Sequence, residues 1–362
     1  MEDIGLACLG VPHPHSSVRL EVARRLEGYK LIGVADRDPD LAPNVKALAE
    51  HLDIEVMSVN EILTSDDVTA VFIESWTEEM VGDTLACIDA GKHVLVEKPA
   101  GLNTTDIGRY FDPDKTSDVV VQVGYNFRFS PMVEMAKQMV EDGTLGKLVQ
   151  ARVHAAGPAG DAHYRWYNLP GDVGGTFWED GCHVVDLLIH LFGMPVNATA
   201  CVSKFDSISG SDSREDAAVA ALEYEDKLVS FDFTAWESND WIETWEFSLY
   251  GTEGTLCFRL VPEEFRLFMK EARGPYKKGW NSWRETTFAV PWAGEPEPWD
   301  EWHVVANKSF FKRELAEFRD AIRGTAENPI DLVQAWNIAA VMEACFESSE
   351  GGSVRVPVKR MS

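Results

Sequence analysis

The chain has 362 residues, 45% hydrophobic and 26% charged, a size that calls for two cores and a composition ordinary for a soluble globular protein. Its formal charge of −27 repels nucleic-acid backbones and anionic lipid and suits a neutral partner such as a sugar or polyol. No apolar run reaches the ~20 residues that span a bilayer. The Met1-Glu2-Asp3-Ile4 start lacks a signal-peptide pattern. The six scattered cysteines, none in CxxC spacing, predict reduced thiols in a cytoplasmic protein.

The first third alternates apolar runs with amphipathic segments. Strands are predicted at Ile4–Leu9, Lys30–Ala35, Val68–Ile73, His93–Val96 and Val119–Val123. Helices are predicted at Ser16–Leu26, Pro43–His51 and Met80–Ala90. Alternation at this spacing predicts βαβ units, hence an α/β domain over residues 1–126 with a parallel sheet covered on both faces.

Beyond Asn126 the pattern changes. A helix at Pro131–Glu141, a strand at Lys147–Ala155 and an apolar helix within Gly174–Phe192 precede a run of strands. These are Ala198–Lys204, Ala217–Tyr224, Leu228–Thr234, Trp245–Tyr250 and Thr255–Leu260. Consecutive strands predict a mostly antiparallel sheet, so residues 127–362 read as one α+β domain. Gly274–Glu301, rich in Trp, Gly and Pro, is predicted as a long loop. Helices at Ser309–Ile322 and Leu332–Ser348 follow, then a strand at Val354–Val356 that Pro357 ends.

A dinucleotide site needs a glycine turn after the first strand and an acid ending the second. Here the turn reads Cys8-Leu9-Gly10-Val11-Pro12-His13-Pro14-His15, with one glycine and two prolines that cannot donate to phosphate. Asp36 compensates: it follows Lys30–Ala35 directly, where a carboxylate can accept both ribose hydroxyls and disfavour a 2′-phosphate. That predicts NAD over NADP, although the adjacent Arg37 weakens the preference. Pro14 and His15 are expected to start the helix, leaving N–H groups and an imidazole of His13 or His15 toward the phosphates, or else a rigid turn without ligand. No third ligand lies near the two histidines in sequence, so no metal site is expected.

Three further segments carry chemistry: Gly91-Lys92-His93-Val94-Leu95-Val96-Glu97-Lys98-Pro99, Gly124-Tyr125-Asn126-Phe127-Arg128, and the stretch around His183. Lys98 follows a buried strand at the carboxyl edge of the sheet, where it can stabilise a developing alkoxide. Glu179, His183, Asp186 and His190 are spaced by four, three and four, one stripe of a helix whose other faces are apolar. His183, with acids within a turn, is the candidate acid–base group; His190 is read as structural.

With these segments in place, the chain resembles the glucose–fructose oxidoreductase/inositol dehydrogenase (Gfo/Idh/MocA) family. The resemblance rests on Ala90-Gly91-Lys92-His93-Val94 leading into Glu97-Lys98-Pro99, on the His183 segment and on Phe318-Arg319-Asp320-Ala321-Ile322-Arg323-Gly324 near the end. It implies a Rossmann domain, then a domain for substrate binding and oligomerisation, with Lys98, Glu179 and His183 as catalytic set. Glu179 stands where the family usually has Asp, and Asp180 beside it could take that role. Tyr125, Arg128, Trp166, Asp180 and Asp186 are the implied substrate-facing residues. Gly10, Val11, Pro12, His13, His15, Asp36 and Arg37 form the implied cofactor set with Ser75, Trp76, Thr77, Glu97, Lys98 and Asn126. Ser75-Trp76-Thr77 replaces the usual Thr-Pro-Asn, and Met80 an expected histidine, departures that point to an unusual cofactor pose or tight retention. The expected function is NAD-dependent oxidation of a secondary alcohol on a sugar, glycoside or cyclitol by a homodimer or homotetramer. Alternatives are a glycosidase or lyase that oxidises the sugar transiently, and a dinucleotide-sensing regulator. The eight tryptophans from Trp236 to Trp302 suit sugar-ring stacking or core and subunit contacts.

Overall fold

The computed structural model describes residues 2–13, 15–112, 116, 118–157, 175–205, 215–237, 244–284 and 302–361. They pack as two compact units: Met1–Asn126 with Lys308–Trp336, and Phe127–Asn307 with Asn337–Ser362.

The first unit holds six strands: β1 (Ile4–Leu9), β2 (Tyr29–Ala35), β3 (Glu55–Val56), β4 (Ala70–Ile73), β5 (His93–Val96) and β6 (Val121–Val123). All pair in parallel in the order β3-β2-β1-β4-β5-β6, the doubly wound order of dinucleotide-binding domains. β1 is buried at all six positions, the reason its sequence is a continuous apolar run rather than an alternating one. Helices α1 (His15–Arg25), α2 (Ala42–Leu52), α3 (Val59–Thr64), α4 (Thr77–Asp89) and α5 (Thr104–Gly108) fill the connections. The sequence pattern did not announce β3 and α3. β3 is two exposed residues, and α3 depends on a capping box between Ser58 and Glu61 more than on an apolar stripe.

The second unit contains α6 (Pro131–Glu141), β7 (Leu148–Ala156), α7 (Thr176–Phe192), β8 (Asn197–Ser203), β9 (Ala217–Glu223) and β10 (Leu228–Thr234). It continues with β11 (Glu246–Gly251), β12 (Gly254–Arg259), β13 (Glu264–Met269), β14 (Gly279–Arg284) and β15 (Val356–Pro357). The nine strands run β14-β13-β12-β11-β7-β10-β9-β8-β15, antiparallel except for β7 with β10.

Three expectations are corrected. The second domain does not keep all of residues 127–362, because residues 308–336 return to the first unit. In helix α8 (Trp302–Ile322), Phe311, Leu315 and Phe318 form one stripe that enters the first unit's core against Leu6, Phe72 and Leu95. Each such side chain contributes about 1.5–3 kcal/mol on burial, and the stripe had no apolar face in its own sequence neighbourhood to join. Secondly, β13 and β14 are additional strands, and β14 lies in the segment predicted as loop; residues 285–301 of that segment are outside the described residues. β14 pairs on one side only, and its exposed Trp280, Ser282 and Trp283 show no alternation to read. Thirdly, Pro357 belongs to β15 instead of ending a strand before it, which an edge position permits because no ladder donor is needed on the outer side.

One face of the large sheet is covered by α7, whose Phe177 meets Phe231 and Phe233, and by helix α9 (Leu332–Glu350), whose Phe346 meets Phe177. The opposite face carries a row of paired neighbours of alternating charge: Asp232, His154, Glu246, Arg259, Glu264 and Arg284. His154 lies 2.5 Å from Asp232 and 2.8 Å from Glu237. The Asp232 hydrogen bond raises its pKa from 6.5 to about 9, with burial opposing and Glu237 adding to the rise. A raised histidine stabilises the fold fully below its unfolded value and loses that contribution as pH climbs through its folded one. The melting-temperature gap between the wild type and His154→Gln is therefore expected to be largest below pH 6.5 and to shrink as pH passes about 9. A gap that is flat with pH would remove the imidazolium from the account. Among the described residues, no helix is long and apolar enough to cross a membrane.

Candidate functional site

The turn after β1 is built around Gly10, whose φ is +97°; a Cβ there would stand 2.2 Å from the Ser75 nitrogen. Only glycine lets this backbone lie against the end of β4. Asp36 ties the turn to the end of β2: Val11 N–H donates to its Oδ2 at 2.7 Å and Asp38 N–H to its Oδ1 at 2.8 Å. Desolvation raises the Asp36 pKa while those two bonds lower it. Arg37, the residue that would favour NADP, is drawn to Asp83 on α4 at 2.5 Å, and Asp83 also accepts the Ser75 hydroxyl at 2.6 Å. With the guanidinium held by Asp83, the Asp36 carboxylate is expected to dominate, and NAD⁺ to bind more tightly than NADP⁺. Asp36→Ala should narrow the preference by about tenfold. Calorimetry showing tighter NADP⁺ binding by the wild type would reverse the assignment.

The two histidine side chains lie against each other and against buried acids. His15 N–H donates to His13 Nδ1 at 3.2 Å, and Ser16 N–H donates to the His13 carbonyl at 3.1 Å. His15 Nδ1 faces Glu97 at 3.0 Å, and His13 Nδ1 is 3.8 Å from Glu74 and 4.0 Å from Glu97. Burial, above all, holds the His13 pKa well below its usual value, so the ring is a neutral imidazole with little pull on a pyrophosphate. The absence of a third metal ligand is also corrected: Glu97, 82 residues beyond His15, comes within reach of both rings.

Glu97 belongs to a buried network that motif reading did not find. Arg19 on α1 bonds Glu74 at 2.6 Å through Nη1, Glu97 through the same nitrogen, and Glu314 at 2.8 Å through Nε. All four side chains are fully buried. The available signal was an acid directly after each of two wholly apolar strand ends, Glu74 after Ile73 and Glu97 after Val96. Its partner could not be read, because Arg19 sits in an ordinary amphipathic helix.

Lys98 follows β5, is 2% exposed and is joined to Pro99 by a cis peptide. Ser75, Trp76 and Thr77 form the buried entry to α4, with Trp76 as its N-cap residue. Tyr125 is buried. Asn126 is fully buried, yet neither atom of its amide makes a hydrogen bond among the described residues. An orphaned buried amide costs about 1–3 kcal/mol unless something satisfies it. A polar ligand group does so, and Gly10, Asp36 and Asn126 together fit a dinucleotide.

In the second unit, Glu215 caps α7: its Oε1 accepts from Gly175 N–H and Trp178 N–H, each at 2.9 Å. Glu179, Asp180, His183 and Asp186 are buried along this helix, and His190 is partly exposed. The His183 ring lies against Phe127 with centroids 4.3 Å apart and meets Trp245 edge-on at 6.3 Å. Arg128 and Asp186 are brought together: Nε contacts both carboxylate oxygens, at 2.8 and 2.9 Å, and Nη2 reaches Oδ1 at 2.5 Å. His190 lies 3.5 Å from Lys137 and is pushed down to about 3, first by burial and then by Arg128 and Lys137. Trp245 is a core residue that donates to the Ala156 carbonyl at 2.7 Å, whereas Trp236, Trp280 and Trp283 are exposed. Trp166 lies outside the described residues.

Comparison with known proteins follows the two units. Residues 10–125 match the model of an oxidoreductase family's NAD-binding Rossmann fold, and residues 137–359 match the C-terminal alpha/beta domain of the same Gfo/Idh/MocA family. Myo-inositol 2-dehydrogenase of Thermotoga maritima is 30% identical over 158 residues, 43% of this chain and 45% of that enzyme. An oxidoreductase from Agrobacterium radiobacter, solved with NAD⁺, L-tartaric acid and magnesium, superposes with a TM-score of 0.81 at 16% identity over 98% of both chains. Levoglucosan dehydrogenase, solved with NADH and levoglucosan, does so at 0.78 and 19% identity over 99% of this chain and 100% of that one.

Proposed function

Since the chain belongs to the Gfo/Idh/MocA oxidoreductase family, with an NAD-binding Rossmann domain, we propose that it oxidises a secondary alcohol of a sugar, glycoside or cyclitol. Lys98 carries this reading: a buried lysine directly after a parallel strand, at the edge where open α/β sheets hold their ligands. NAD, when bound, supplies the hydride acceptor. Lys98 stabilises the substrate oxygen as its proton leaves, and His183 takes that proton. An acid one helical turn before His183, Glu179 or its neighbour Asp180, orients the imidazole. Neutral, hydroxyl-rich substrates agree with the chain's charge of −27, and with the substrates named for the inositol and levoglucosan enzymes it resembles.

The test begins with mass spectrometry of the denatured, purified protein. NAD(H) is expected to be released, and a panel of sugars, glycosides and cyclitols is then expected to yield NADH. Neither bound nor added NAD responding to any member of the panel would end this proposal.

A second copy of the chain is expected to cover the charged face of the nine-stranded sheet, giving a homodimer or homotetramer. The alternating row from Asp232 to Arg284 offers both signs to a partner, and Trp280 and Phe268 supply exposed aromatic area four residues away along β14 and β13. A monomer by light scattering at micromolar concentration would count against it. A cytoplasmic location accords with six cysteines that form no disulfide, of which Cys201 is exposed.

A further inference from the structure

We propose that His13, His15, Glu97 and Glu74 form a binding site for one divalent transition-metal ion. One ligand atom from each of His13, His15 and Glu97 lies within 4.8 Å of the others. Glu74 Oε2, 3.8 Å from His13 Nδ1, flanks this set on the His13 side. Arg19 occupies Oε1 of Glu74 and Oε2 of Glu97. The remaining oxygens, Glu74 Oε2 and Glu97 Oε1, are buried and accept no hydrogen bond among the described residues. An unsatisfied Glu74 oxygen 3.8 Å from the His13 ring, with a second Glu97 oxygen left without a hydrogen bond, gives the two imidazoles acid neighbours that can serve a cation as well as a guanidinium.

The charges agree. Three buried acids, Glu74, Glu97 and Glu314, face one buried arginine. Counting Lys98, next to Glu97 in the chain, still leaves three carboxylates against two cations. An isolated buried charge is costly, so this excess of one negative charge favours a cation at the imidazole side, where a divalent ion leaves one net positive charge. Mixed imidazole and carboxylate donors select the zinc, iron(II), cobalt or nickel class over magnesium or calcium, which prefer oxygen alone. Bonds of about 2.0–2.2 Å require the ligand atoms to draw together by roughly an ångström, a movement of side chains on a short turn. The ion would tie the turn carrying Gly10 to the carboxyl ends of β4 and β5. This site is independent of which alcohol the enzyme oxidises.

Chelator-stripped wild-type protein is titrated with Co²⁺, read by its visible d–d bands, and with Zn²⁺ by calorimetry and melting temperature. One equivalent of Co²⁺, displaced by Zn²⁺, is expected, with a rise in melting temperature. The double variant His13→Gln/His15→Gln should weaken binding by more than the ~10–100-fold that loss of a second-shell partner costs. It should also abolish the melting shift; should it fail to fold, either single variant serves. No saturable one-equivalent binding by the wild type would mean that protons, not a metal, balance the cluster. Wild-type affinity in the variants would place the ion elsewhere. Both results overturn the site, and dinucleotide affinity is measured separately on the same proteins.

Discussion

Lys98→Ala is expected to lower kcat by on the order of 10²–10³-fold while KM changes little, as when one donor to a developing oxyanion is removed. A buried ammonium interacts weakly with a neutral hydroxyl and strongly with the alkoxide that replaces it, so the loss falls on the transition state. His183→Ala should cost a comparable factor by removing the proton acceptor. In the proposed mechanism both groups act on one oxygen, so the two losses should not multiply. Glu179→Gln and Asp180→Asn then separate the possible supports of His183, since both carboxylates are buried on α7. Only the supporting one should lower the rate without altering NAD affinity. Near-normal turnover by both Lys98→Ala and His183→Ala on a confirmed substrate would dismiss the mechanism.

Arg19→Ala should be the most damaging single change to the fold outside the large apolar residues. It leaves Glu74, Glu97 and Glu314 buried without their guanidinium. Breaking a buried ion pair from one side costs about 3–5 kcal/mol because the remaining charge stays desolvated. Glu74 is already raised to about 8, chiefly by burial, with Arg19 opposing the rise. Without Arg19 the carboxylates should take up protons more readily, so the deficit should be largest at high pH and shrink as pH falls. Arg24→Ala is the control: its pair with Glu21 at 2.8 Å is solvent-exposed and should change stability by less than about 1 kcal/mol. Denaturant midpoints of the two variants, measured across pH, make the comparison. Equal small losses would show that the buried network contributes little.

Local pattern sufficed where each residue's environment repeats along its own segment. β1, β4 and β5 are buried on both faces, so continuous apolar runs marked them, and α7 announced itself by a polar stripe on an apolar helix. Asp36 and Lys98 could be singled out as candidates because a strand end is itself a sequence feature. The chain by itself therefore determined the parallel sheet of the first domain and the strand-rich second domain. Tertiary structure decided what depends on distant partners. It returned α8 to the first unit through Phe311, Leu315 and Phe318. It also joined Arg128 to Asp186, and turned His13 and His15 inward onto Glu97. Those contacts link residues 58 to more than 200 positions apart, and a buried charge must find its counter-charge wherever folding brings one.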